Sequence, residues 1–279
     1  MLPFKKILFP VDYSDPCRAM APCVADLQKH FSAELALVHA FGAEALAYSA
    51  LPITDPHLIE EAQARQEANL LGFAEKYFAD TGVETYVGTG EPASVIHDMI
   101  TRQGADLVVL PTHGSGPLRR LLLGSVTTKV LHDLATPVLT GHPVRLPWKS
   151  VLCALDSSEE AESILRAADA VARSFGAQLS ITSVLEIPPP DIEMAYGNFR
   201  EDFMNAAQTR LRELKSRTGI QAPHTVLDGP VADALAEEAK RTGAQLIVTG
   251  RGVSQTTISR LWSHLYPIIR HAPCVVLSI

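Results

Sequence analysis

Several features that would direct the reading toward a metal, a disulfide frame or a membrane are missing from this chain. Only four cysteines occur in 279 residues, Cys17, Cys23, Cys153 and Cys274, and no two form a CxxC pair. They read as buried thiols in a reducing cytosol rather than as a disulfide frame or a zinc site. The ten histidines are scattered, with no HExxH or comparable spacing. A metal site would have to be assembled from distant residues. No apolar run approaches the roughly 20 residues that span a bilayer. The opening MLPFKKILFPVD has no proper apolar h-region or cleavage site, so neither a signal peptide nor membrane insertion is expected, and a cytoplasmic location is. Runs of Lys or Arg are also absent; the densest basic cluster is Arg119-Arg120, and the formal net charge is −7. That balance argues against nucleic acid as a partner.

Two phosphate-binding motifs fail as well. GxxxxGK[ST] does not occur, and GSGPLR, at 114–119, lacks the third glycine of GxGxxG and follows a fourth strand rather than a first.

What is present is the composition of a globular protein, 47% hydrophobic and 20% charged, and the chain is written twice. FKKILFPVDYSD from Phe4 returns as WKSVLCALDSSE from Trp148, which sets Asp12 against Asp156, 144 residues on. FSAELALVHAF from Phe31 returns from Phe175 at the same offset. GADLVVLP from Gly104 returns as GAQLIVTG from Gly243, 139 residues on, and ATPVLT from Ala135 returns as HAPCVV from His271, 136 residues on. Order is kept while the offset shrinks in small steps, as in a duplication followed by short deletions.

Within each half, strand and helix alternate. In the first, KILFPVD is a strand, and the segment from Ser14, a plausible N-cap, to Phe31 is a helix. AELALVHAF is a second strand, followed by a Pro-containing loop and a charged amphipathic helix that ends near Gly82. VETYVGTG is a third strand, and EPASVIHDMITRQG is a helix with Pro92 in its first turn. ADLVVLPTHG and TPVLTG supply the fourth and fifth strands around a helix that runs at least beyond Gly124. Near-continuous apolar strands separated by helices predict a parallel sheet covered on both faces. The expected fold is α/β: two tandem, doubly wound, five-stranded parallel-sheet domains, 1–144 and 145–279. The hinge is GHPVRLPW, Gly141–Trp148, with two prolines and a glycine.

In such sheets ligands sit beyond the carboxyl ends of the strands. In the first half that selects Pro10-Val11-Asp12, Val38-His39-Ala40 and the stretch Leu110–Val126. The last has small residues before a helix N-terminus, where amides and the helix dipole favour an anion. The plainer reading of Asp12 is a turn or helix-start residue, and of Gly114 and Gly124-Ser125 ordinary turn and cap chemistry. His113 is an acid–base candidate by its place after the fourth strand, and His39, at the end of a strand, reads as a hydrogen-bonded core histidine.

These segments resemble the universal stress proteins. Nucleotide-binding members of that family carry G-x2-G-x9-G-[S/T] after the fourth strand. Here Gly114, nine residues and Gly124-Ser125 match its second part, set in THG…LLLGSV. KILFPVDYSD and the closing PVL strand are similar too, and the likeness covers essentially the whole chain. It implies an adenine nucleotide alpha hydrolase-like fold, and domains that pair through their fifth strands as an intramolecular pseudo-dimer or a homodimer. By position it implies Asp12 on the ribose or adenine side beside Pro10 and Val11, and Ala40 in the base pocket. Gly114, Gly124, Ser125 and Val126 would offer amides, and Ser125 and Thr127 hydroxyls, to the phosphates of ATP, with or without Mg2+.

Two departures stand out. Pro111 replaces the motif's first glycine and has no amide hydrogen to donate. In the second half the loop is three residues shorter. Gly250 and Gly252 remain near the strand end, but Leu261 and Trp262 stand where the first half has Ser125 and Val126. A degenerate second site is expected despite Asp156, with Arg251 a candidate for some other anion.

The resulting expectation is a stress-response regulatory protein that binds an adenine nucleotide in its first domain, the second being mainly structural. The alternative is a nucleotide-free interaction module. No nucleophile–base pair or lysine-bearing phosphate motif points to efficient turnover; slow hydrolysis or autophosphorylation is implied by resemblance only. An electron-transfer flavoprotein-like enzyme, or one with an SGGxDS PP-loop, is disfavoured, since SGGxDS is absent.

Overall fold

The computed structural model describes residues 3–42, 56–112, 124–186, 199–251 and 264–279. These form two compact units, Phe4–Leu146 and Pro147–Ile279.

In the first unit the elements are β1 (Lys6–Pro10), α1 (Asp15–Phe31), β2 (Glu34–Phe41), α2 (Pro56–Phe78) and β3 (Val83–Thr89). They continue with α3 (Pro92–Gln103), β4 (Leu107–Pro111), α4 (Ser125–Asp133) and β5 (Val138–Gly141). Its strands lie in the order β3-β2-β1-β4-β5, all parallel. The second unit repeats the plan with β6 (Ser150–Leu155), α5 (Ala161–Phe175), β7 (Gln178–Leu185), α6 (Phe199–Thr218) and β8 (His224–Asp228). It closes with α7 (Val231–Thr242), β9 (Leu246–Thr249), α8 (Tyr266–His271) and β10 (Val275–Ser278). There the order is β8-β7-β6-β9-β10, again parallel.

The strands are buried because their side chains are apolar on both faces. Ile7, Leu8, Phe9, Val108 and Val109 are fully buried in the first unit, as are Val151, Leu152, Cys153, Ile247 and Val248 in the second. Helices cover these faces, as a parallel sheet requires. Duplication in sequence is also duplication in detail. Asp106 accepts hydrogen bonds from the amides of Lys5, at 2.8 Å, and Lys6, at 3.0 Å. Gln245, its counterpart, accepts one from the amide of Lys149 at 2.7 Å. Phe4 meets Phe31 edge-on at 5.5 Å between ring centroids, and Trp148 meets Phe175 at 4.7 Å.

In both halves the strand order reverses beside the first strand, so β1 and β6 lie between two crossovers of opposite direction. The carboxyl ends of β1, β2 and β4, and of β6, β7 and β9, are therefore where a ligand crevice opens.

Candidate functional site

In the first unit the carboxyl edge is organised around the end of β1. Val11 leaves the strand buried, and its amide donates to the Val38 carbonyl at 2.8 Å. Asp12 is exposed, and its Oδ1 accepts from the Ser14 amide at 3.0 Å and the Ser14 hydroxyl at 2.6 Å. Ser14 Oγ in turn accepts from the Cys17 amide at 3.3 Å, capping α1. Asp12 thus holds the start of α1 and also presents a carboxylate to solvent.

Tyr13, between them, takes a left-handed backbone with φ 59°, a conformation in which non-glycine residues are uncommon. Its ring centroid lies 4.7 Å from that of His39 and 6.0 Å from that of Phe73. His39 is half-buried and donates from Nδ1 to the Val11 carbonyl at 2.7 Å. The hydrogen is therefore on Nδ1, and His39 acts as a tie between β2 and the turn after β1. Burial pushes the Tyr13 phenol up to about 12, and its Oη has no hydrogen-bond partner among the described residues.

Ala40, near the end of β2, lies in register with Gly88 of β3. Pro111 ends β4, an interior strand, in register with Gly141. Gly114 and His113 lie outside the described residues, so the Gly114 to Gly124 spacing is not seen in space. Gly124 is the N-cap of α4 and, as a glycine, supplies no side-chain cap to the helix's first amides. Its carbonyl accepts from the Thr128 amide and hydroxyl, both at 3.0 Å. Ser125 is exposed, Val126 half-buried and Thr127 buried. Pro10, Val11, Asp12, Ala40, Gly124 and Ser125 are all on the carboxyl edge of one sheet, by topology alone.

The second unit has a feature the sequence left unmarked. A cavity of about 390 Å³ opens at the carboxyl ends of β6, β7 and β9. Three consecutive strands supply its floor. Ala154 of β6 lies in register with Thr182 of β7 on one side and with Thr249 of β9 on the other, and all three line the cavity. Thr182 is fully buried, and its Oγ1 has no hydrogen-bond partner among the described residues, whereas Thr249 Oγ1 donates to the Gly250 carbonyl at 3.4 Å. Val184, Val231 and Leu235 add apolar wall, and Asp156, Glu160 and Glu186 bring carboxylates. Asp156 repeats the Asp12 turn, its Oδ1 accepting from the Ser158 amide at 3.0 Å. At Gly250 a Cβ would lie 2.4 Å from Ile164 Cδ1, so the retained glycine lets Ile164 of α5 close against the end of β9.

Arg251 also borders this cavity, but its guanidinium is 7% exposed and turned to β10. Nε donates to Ser278 Oγ and Nη2 to the Ser278 carbonyl, both at 3.1 Å. Burial draws its pKa down to about 10. The candidate anion binder is thus engaged in holding the C-terminal strand. Leu261 and Trp262 lie outside the described residues.

The signal that would have found this floor is the strand alternation in ITSVL, where Thr182 and Val184 share a face. A threonine on a buried strand face, set where the first half has Val38, was visible. Its alignment with Thr249 across β6 was not.

Similarity to known proteins now decides the family. The pattern of the universal stress protein family matches this chain twice, over residues 3–140 and 147–279. The chain belongs to the universal stress protein family. Universal stress proteins of Methanocaldococcus jannaschii (31% identical over 139 residues) and Thermus aquaticus (35% over 146) each match 49% of this chain. Those stretches cover 81% and 97% of the respective relatives. Over the full length, the chain shares its fold with a universal stress protein from Archaeoglobus fulgidus, with TM-score 0.75 and 22% identity. That match covers 98% of this chain and 97% of the other. Among the described residues no helix is long and apolar enough to cross a membrane.

Proposed function

We propose that this universal stress protein is a cytoplasmic regulatory protein whose first half binds an adenine nucleotide, ATP in the leading case. The observation that carries the reading is the start of α4. Gly124, as the N-cap, contributes no side-chain cap to the helix's first amides, on the same sheet edge as the exposed Asp12 carboxylate. Uncapped amides at the positive end of a helix suit phosphate oxygens, and a carboxylate suits ribose hydroxyls. Ser125 and Thr127 would add hydroxyls on the phosphate side, Val126 an amide, and Ala40 with Pro10 and Val11 the contacts to the base; Gly114 completes the set by sequence. Mg2+ would arrive with the phosphates, since no group of three or more carboxylate, histidine or cysteine ligands occurs among the described residues.

The second half enters this reading as a partner domain rather than a triphosphate site. Self-association of the chain belongs to the same reading, and light scattering after size exclusion tests it.

Pro111 favours a rival. Without an amide hydrogen at the end of β4 one phosphate donor is missing, as suits a nucleotide-free interaction module. Thermal melting with and without ATP-Mg2+ separates the two. A ligand at 100 times its Kd stabilises by about 2.7 kcal/mol, which is several degrees of melting temperature, and Gly124→Trp should abolish that shift. An unchanged melting temperature at saturating ATP-Mg2+, with no nucleotide carried through purification, would favour the interaction module.

A further inference from the structure

We propose that Arg212, Lys215 and His224 form a binding site for a phosphate dianion, free or carried as a phosphomonoester, beside the edge strand of the second half. Two elements build the site. His224 opens β8, the outermost strand of that half, and is half-buried. Arg212 and Lys215 lie three residues apart on α6, the spacing that sets two side chains on one helix face. Lys215 Nζ stands 3.3 Å from His224 Nδ1. An ammonium group can only donate, so the imidazole accepts and is neutral. Burial lowers the His224 pKa, and the charges of Lys215 and Arg212 lower it further.

The cluster is cationic without a counter-charge. Arg212 donates to neutral acceptors, from Nε to the Gln208 carbonyl at 3.3 Å and from Nη2 to Thr209 Oγ1 at 3.1 Å. Nearby cations are matched instead, Arg200 by Asp228 at 2.5 Å and Arg217 by Glu162 at 3.8 Å. Glu213 is one place from Arg212 and two from Lys215, a spacing that turns it to another face of α6. Among the described residues, the charged groups acting on His224 are thus Lys215 and Arg212, both positive. Like charges gathered in this way repel one another, and an anion placed among them reverses the sign of the interaction. The fold does not demand the cluster. In the first half Thr85, paired with Leu37 as His224 is with Ile181, takes the histidine's place. A phosphate dianion suits the group, because its oxygens can accept from guanidinium, ammonium and imidazolium together. Its second charge distinguishes it from a carboxylate.

Binding of the dianion favours the protonated imidazole, so by linkage phosphate raises the pH midpoint of His224. The test follows the His224 ring signals of the full chain by NMR from about pH 5 to 8, assigned with His224→Gln. Inorganic phosphate and methyl phosphate are each compared with sodium chloride at equal ionic strength. Phosphate is expected to raise the His224 midpoint by about 0.5 or more and to saturate, whereas chloride should not. A response to both phosphates assigns the site to a phosphomonoester, and a response to inorganic phosphate alone assigns it to the free ion. Lys215→Met and Arg212→Met keep the side-chain stems and should each weaken phosphate about tenfold, with the melting temperature reporting an intact fold. Lys215→Arg should restore binding. A midpoint that moves equally in chloride overturns the proposal, as does a phosphate affinity indifferent to both methionine variants. Because His224 itself is the reporter, this result is independent of ATP binding in the first half, which Gly124→Trp tests.

Discussion

Asp12 and Ser14 are joined twice, the Asp12 Oδ1 accepting both the amide and the hydroxyl of Ser14, so one carboxylate orders a turn and faces solvent. The two roles separate by substitution. Asp12→Asn keeps an oxygen acceptor for Ser14 and should change unfolding free energy by less than about 0.5 kcal/mol. Asp12→Ala removes the acceptor and should cost about 1 kcal/mol, the usual worth of a hydrogen bond at a helix start. Both variants lose the charge, so ATP affinity should fall in both. Urea unfolding and calorimetry on the pair read the two effects independently.

Gly88 and Gly250 should respond differently to an added methyl group. At Gly88 a Cβ would lie 2.4 Å from Val95 Cγ1 and 3.5 Å from Val95 Cβ. Val95 is β-branched on a helix and has essentially one rotamer to occupy, so it cannot swing away. At Gly250 the clash is with Cδ1 at the tip of Ile164, which has a further torsion to turn. Gly88→Ala is expected to cost about 1–3 kcal/mol and Gly250→Ala markedly less. Equal melting temperatures for the two variants would contradict this.

Ser32 and Gly176 occupy the same position of the repeat, after α1 and α5, with φ 51° and 62°. A side chain in the left-handed region costs roughly 1–2 kcal/mol, which glycine avoids. Ser32→Gly should stabilise the first unit by about 0.5–1 kcal/mol, and Gly176→Ala should destabilise the second by a similar amount. Denaturation midpoints of the two variants test the sign.

The four cysteines should make the fold sensitive to alkali. Burial raises Cys17, Cys23 and Cys274 from 9.0 to about 12, and raises Cys153 as well. Between these values the native state holds protons that the unfolded chain releases. The stability they contribute is complete below about pH 9 and is lost as pH rises toward 12, at about 1.4 kcal/mol per pH unit for each thiol. Urea midpoints should therefore fall steadily above pH 9. All four thiols should also resist Ellman's reagent at pH 8 until the protein is unfolded.

Much of this was legible in the residues. Apolar runs such as LVVL and LIVT between helical segments required a parallel sheet with both faces covered, because strands of that composition have no face to give to water. Repetition at matched spacing required two copies of one unit. Asp12 could be placed at a strand end because β-branched and aromatic residues stop there and a helix cap follows. The bond between His39 and Val11 was foreshadowed in kind, though not in partner.

Local order and its repetition thus follow from the residues alone, since side-chain polarity and backbone preference act over a few residues. Which distant residues stand side by side follows from the packed fold. Register between parallel strands is set by packing across long crossovers, and it is register that aligns Thr182, Ala154 and Thr249 into a floor. The same long-range packing turned Arg251 toward Ser278, because a buried guanidinium must donate its hydrogen bonds to acceptors within reach.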